Sequence, residues 1–155
     1  MRITGWIGFG VAKHAASRSR KLIIGGASPF PAPPGTPDPF TPVLMQGASG
    51  LLTFYEGDLT PALEARLRAS DMEALIACRR TRFASPGFES SLAGMQMPCL
   101  LFAGDVDAVH AGAQEAARRM PNATFVSLPG RAHVPALWHS EEVVPHVTAF
   151  LARED

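Results

Sequence analysis

Between Trp6 and Ala16 the chain is apolar or small on every side of a helical projection (Ile7, Phe9, Val11, Ala12, Ala15), with glycines at 5, 8 and 10. A helix without a polar face is a buried one, and its glycines permit close approach to a strand at some cost in helix propensity. From Arg20 to Ala27 a continuous apolar block, Leu22-Ile23-Ile24 followed by Gly25-Gly26, predicts a fully buried strand. Prolines then crowd the stretch from Pro29 to Pro42. Because proline removes a donor and restrains φ, that stretch is expected to be a loop without regular structure.

Residues 43–92 read as helical and loosely amphipathic. The clearest helix is predicted from Pro61 to about Arg80, with Thr60 as its N-cap and Pro61 at its first position. Leu63, Leu67, Leu75 and Ile76 form its apolar face, with Ala62 and Met72 beside them, and Ser85-Pro86-Gly87 ends the region. Met97 to Gly104 predicts a second buried strand, Ala111 to Met120 a short helix, and Ala123 to Leu128 a third strand closed by Pro129-Gly130. A last helix is expected from Glu141 to Ala152, its acidic residues at the positive end after Ser140. Val143, Val147, Phe150 and Leu151 give it a core-facing stripe. Pro145 is tolerable only in a first turn, so the helix should start near Val144 or kink there. Strands that are apolar throughout, separated by helices, predict a parallel sheet covered on both faces. No internal repeat is visible.

Composition narrows the class. With 155 residues, 46% of them hydrophobic and 18% charged, the chain is sized for one soluble globular domain spanning residues 1–155. Lys plus Arg and Asp plus Glu each number 14, so no net charge draws it to nucleic acid or to an anionic membrane. The basic run from Lys13 to Lys21, including Arg18 and Arg20, reads as a solvated helix end. Cys78 lies on a predicted helix and Cys99 in a predicted strand, and both are expected to be buried free thiols of a reducing cytoplasm. Glycines interrupt the apolar N-terminal stretch, no small-residue cleavage site follows it, and no run approaches the roughly 18 apolar residues of a membrane span. A cytoplasmic location is therefore expected.

In an open parallel sheet, functional groups collect in loops at the carboxyl ends of strands. Two such loops carry candidate chemistry: Asp105-Val106-Asp107 and Arg131-Ala132-His133. A carboxylate on one strand end and an imidazole on the next can meet, the carboxylate fixing the ring's tautomer and steadying the imidazolium. The motifs around them read Pro98-Cys99-Leu100-Leu101-Phe102-Ala103-Gly104-Asp105-Val106-Asp107 and Pro129-Gly130-Arg131-Ala132-His133, with His133 26 positions after Asp107. With the final Val-x-x-Phe-Leu helix, the stretch from Met95 to Leu151 resembles the end of an α/β-hydrolase, where P-x-L-x-x-x-G-x-x-D delivers the acid and P-G-x-x-H the base. Residues 36–92 are similar to the helical lid of such enzymes. The resemblance implies a three-layer α/β fold: a short parallel sheet of about three strands, flanking helices and a helical lid insertion. It also implies Asp107 and His133 as the catalytic pair, with Asp105 the weaker acid candidate.

The chain departs from that family at its front. There the nucleophile stands in a G-x-S-x-G turn before a glycine-rich helix. Gly5-Trp6-Ile7-Gly8-Phe9-Gly10 looks like the start of that helix, which puts Arg2 at the nucleophile position within Met1-Arg2-Ile3-Thr4. Arginine is permanently protonated and has no nucleophilic lone pair. Ser28, just after the first strand, is an accessory candidate on the same rim, though a turn serine is the plainer reading. His14, His110, His139 and His146 have no ligand-like spacing, so no metal and no cofactor are expected.

Two functional classes follow. One is a minimal hydrolase of small ester-like substrates in which Asp107-oriented His133 acts as general base. The other is a non-catalytic remnant or dimerising binding module. In either, the strand from Lys21 to Ala27 would be an apolar edge and the helix from Trp6 to Ala16 would be stripped on one side. Such surfaces recruit partners, so a homodimer through that edge or that helix is expected, with exchange of the helix between protomers as a variant.

Overall fold

The computed structural model describes residues 4–33, 35–57, 59–133 and 140–153. Helix α1 (Thr4–His14) leads through a short 3-10 turn (Ala16–Arg18) into strand β1 (Leu22–Gly25). Helices α2 (Thr41–Met45), α3 (Gly47–Phe54), α4 (Pro61–Arg68) and α5 (Met72–Ala84) follow. After a 3-10 segment (Glu89–Gly94) come β2 (Cys99–Gly104), α6 (His110–Arg119), β3 (Ala123–Leu128) and α7 (Ser140–Leu151). The chain forms two compact units, one holding the helices of Pro31–Ser85 and the other holding the sheet with α1, α6 and α7.

The three strands are parallel, as the apolar blocks predict, and lie in the order β1-β2-β3. The middle strand β2 is buried at all six residues, the signature of a strand covered on both faces. Side chains sort by parity. Cys99 and Leu101 join Ile24 of β1, Phe9 and Ala12 of α1, and Ala116 and Ala117 of α6 in one core. Phe102 and Leu128 face the other way, packed with Ile23, Val126 and Val143 of α7. Helices thus cover both faces, giving three layers. The close approach expected of α1 is present: a Cβ on Gly5 would stand 2.7 Å from the Ala27 Cβ, and one on Gly8 3.0 Å from Ile24 Cγ1.

Several local expectations are corrected. The helix predicted from Pro61 to Arg80 is two helices. Thr60 caps the first as expected, accepting from the Leu63 N–H at 3.2 Å, but Asp71 caps a second by accepting from the Ala74 N–H at 3.0 Å. A good N-cap inside an apolar stripe restarts the helix without disturbing the spacing of its apolar positions. α7 begins at Ser140, so Pro145 lies inside it and cannot donate to the Glu141 carbonyl. Phe150 is buried as expected, whereas Leu151 is exposed. Among the described residues no helix is long and apolar enough to cross a membrane.

In the helical unit, Leu44, Leu51, Tyr55 and Leu67 are buried. Among its described residues the proline-rich loop before α2 has no regular structure, yet Asp38 ties it down. Its carboxylate accepts from the Phe40 N–H at 3.0 Å and from the Thr41 hydroxyl, and it pairs with Arg79 of α5, whose Nε donates at 2.9 Å. The Arg79 guanidinium also lies over the rings of Phe40 and Phe83. Burial pushes the Asp38 carboxyl up, but the hydrogen bonds from Arg79, Thr41 and Phe40 outweigh it and hold the group well below the usual carboxylate range. A carboxyl depressed in the folded state stabilises above its unfolded value of about 4 and loses that contribution as pH falls toward the folded value. Asp38→Ala is expected to cost about 2 kcal/mol at pH 7 in urea unfolding. The gap from wild type should narrow below pH 4.

The thiols also depart from expectation. Both are free, but only Cys99 is buried, and burial pushes its thiol up to about 11; Cys78 is exposed on α5. An aromatic disulfide reagent should titrate one thiol in the native protein and two after denaturation.

Candidate active site

β2 ends at Gly104, and the turn beyond it is closed by the Asp107 N–H donating to the Gly104 carbonyl at 3.1 Å. That turn folds Asp107 back into the protein, where it is 7% exposed and the sole buried charged side chain among the described residues. Both carboxylate oxygens are used. Oδ1 accepts from the Val109 N–H at 3.0 Å, and Oδ2 lies 2.7 Å from His133 Nδ1, beyond β3. An ionised carboxylate only accepts, so the proton of a neutral ring sits on Nδ1 and Nε2 keeps its lone pair. Among the described residues nothing hydrogen-bonds to Nε2, and the His133 side chain is 40% exposed. The arrangement is an imidazole oriented through Nδ1 by a buried carboxylate.

Asp105 has a different position and task. Its Oδ1 accepts from the Gly130 N–H at 2.7 Å, and its own N–H donates to the Leu128 carbonyl at 3.0 Å. The Val106 N–H reaches the Arg131 carbonyl at 3.3 Å, and Gly104 lies so near that carbonyl that a Cβ would stand 1.8 Å from its oxygen. These contacts sew the acid loop to the histidine loop. Arg131 in turn forms a forked ion pair with Glu142 of α7, Nε donating to Oε2 at 3.1 Å, which ties the histidine loop to the last helix. The roles of Gly104, Arg131 and Glu142 leave no signal in the sequence, because their partners are distant along the chain.

Ser28 stands in the loop after β1. Its Oγ is 3.4 Å from the Phe30 N–H, and it packs against Gly112 in the first turn of α6, where a Cβ would be 2.4 Å from the hydroxyl oxygen. His110 Nε2 lies 2.8 Å from Ser127 Oγ, with its ring edge-on to Phe125, and His14 and His146 are exposed. Among the described residues no group of three or more His, Cys, Asp or Glu side chains could hold a metal. Arg2 and His139 lie outside the described residues.

Asp105→Ala should cost about 1 kcal/mol in urea unfolding, because the Gly130 N–H loses its acceptor. Amide exchange at Gly130 should accelerate while β2 amides stay protected.

No family model matches the chain, and no curated protein matches it. Solved structures do. A hydrolase from Pseudomonas aeruginosa superposes with a TM-score of 0.77 at 21% identity, over 96% of this chain and 62% of that one. The enol-lactonase of Burkholderia xenovorans gives 0.74 at 20% identity, over 96% and 62%. A thermophilic esterase from Thermogutta terrifontis gives 0.73 at 20% identity, over 95% and 61%. The chain thus spans less than two thirds of the length of each. Its three-strand parallel sheet, its layered helices and these likenesses agree: the chain carries part of the α/β-hydrolase fold.

Proposed function

We propose that this protein hydrolyses small ester-like substrates with His133 as general base and Asp107 as the residue that orients it. The observation that carries the reading is the 2.7 Å contact between His133 Nδ1 and a carboxylate that is otherwise buried. Nε2 takes a proton from water as the water oxygen attacks the ester carbonyl. Asp107 steadies the imidazolium so formed. The tetrahedral intermediate then collapses, the bond to the leaving oxygen breaks, and the imidazolium returns its proton to that oxygen. With a hydroxyl from Ser28 or from a partner subunit in place of water, the same collapse leaves an acyl ester on that hydroxyl, which a water deprotonated by His133 then hydrolyses. The two free thiols fit a reducing cytoplasm as the setting.

General base catalysis contributes about 10²- to 10⁴-fold, enough for slow turnover of activated esters. Hydrolysis of a short-chain p-nitrophenyl ester should therefore be measurable in wild type and fall by about that factor in His133→Ala. It should collapse likewise in Asp107→Ala and persist in His110→Ala. Equal rates in all four proteins would end the enzymatic reading.

A second reading, a non-catalytic dimerising module, is favoured by one observation. β1 pairs with β2 on one side, and among the described residues no strand pairs with its other side. Leu22–Gly25 carries neither proline nor charge to blunt that edge. We propose that a second copy meets it, or meets α1, about a twofold axis. Light scattering should give a dimer mass; a monomer at high micromolar concentration contradicts this proposal.

A further inference from the structure

Gly26 follows the last residue of β1, and its N–H extends the sheet ladder by donating to the Phe102 carbonyl at 2.9 Å. There the backbone turns: φ at Gly26 is +57°, in the left-handed region that L side chains rarely adopt. A Cβ built at this position would stand 3.2 Å from His133 Cε1, 3.4 Å from His133 Nδ1 and 3.9 Å from Asp107 Oδ2. The ends of all three strands therefore converge on one ring. Asp107 holds Nδ1, the bare Gly26 backbone walls the Cε1 corner, and the ring edge bearing Nε2 is left for chemistry.

We infer that Gly26 is a positioning residue for His133, its missing side chain setting where the imidazole sits beside Asp107. The inference rests on the reading of His133 as the working base. Its physical basis is which group yields. The Gly26 backbone is fixed by a ladder hydrogen bond and is buried, whereas the His133 side chain is 40% exposed and has solvent to move into. A Cβ at 3.2 Å is tighter than ordinary contact, so the ring gives way by a few tenths of an ångström, away from Gly26 and across its line to the carboxylate. Catalytic groups must be held within about 0.5 Å of their working geometry and a misplacement of about 1 Å costs about 10²-fold, so a shift of a few tenths uses up most of the tolerance and lowers turnover before it disturbs the fold. The neighbouring Gly25 has a separate reason to lack a side chain, since the Phe102 ring lies 2.3 Å from where its Cβ would be.

The test uses Gly26→Ala and Gly26→Asn in the full chain, beside Asp107→Ala. Both Gly26 variants carry the Cβ, and asparagine tolerates positive φ, so a loss shared by the two belongs to the Cβ and a loss confined to alanine belongs to the backbone. The readout independent of turnover is the downfield proton resonance of the His133 Nδ1–H, assigned by its disappearance in Asp107→Ala. It is expected to move upfield or exchange away in both Gly26 variants, while backbone amide spectra away from the site stay in place. Ester turnover should fall about tenfold in kcat with KM unchanged. An unaltered Nδ1–H resonance in both variants overturns the inference, as does failure of both variants to fold, which would make Gly26 a residue of the fold. If the resonance responds but wild type hydrolyses nothing, the hydrolase reading falls and the positioning role stands.

Discussion

Burying a carboxylate is costly unless its oxygens find donors, and the sheet end of this protein is organised around that requirement. Asp107 is tolerated at 7% exposure because Val109 and His133 each supply a donor. The same requirement reaches outward. Val109 is in place because the turn after β2 closes on Gly104, and His133 is in place because the loop after β3 is held to that turn by backbone bonds. The electrostatics of one buried group thus bind together two loops that are distant in sequence.

The seam between those loops is mostly main chain. Asp105 caps Gly130, Val106 reaches Arg131, and Gly104 lets the Arg131 carbonyl come close. Backbone contacts leave fewer rotamers to average over than long side chains do, so they suit the task of fixing an imidazole. Arg131 with Glu142 adds a long-side-chain tie, from the histidine loop to α7. The two aspartates, two residues apart, therefore divide the work: Asp105 serves the backbone of the histidine loop and Asp107 its ring.

The helical unit of Pro31–Ser85 is held by a different logic. Its helices are short, and helices of this length are marginal alone, so caps and tertiary ties matter more. Thr60 and Asp71 start α4 and α5, and Asp38 joins the proline-rich loop to Arg79 across 41 residues. The loop is irregular in secondary structure without being untethered.

By itself the sequence determined the strands, the full burial of β2 though not that of β1 or β3, and the two motifs that carry Asp107 and His133. Those features are local: an apolar block such as Leu100-Leu101-Phe102 or a turn such as Pro129-Gly130 signals its conformation without outside help. Local pattern also misled. The stripe through Leu67 and Leu75 reads as one helix because spacing carries no record of the Asp71 cap that divides it. Cys78 was expected to be buried because a helical pattern does not say which face has a neighbour. Only the tertiary structure decided that Asp38 meets Arg79, that Gly104 meets Arg131 and that Gly26 meets the His133 ring. Those meetings depend on strand register and on how the loops fold back over the strand ends, and no period of two or 3.6 residues encodes either.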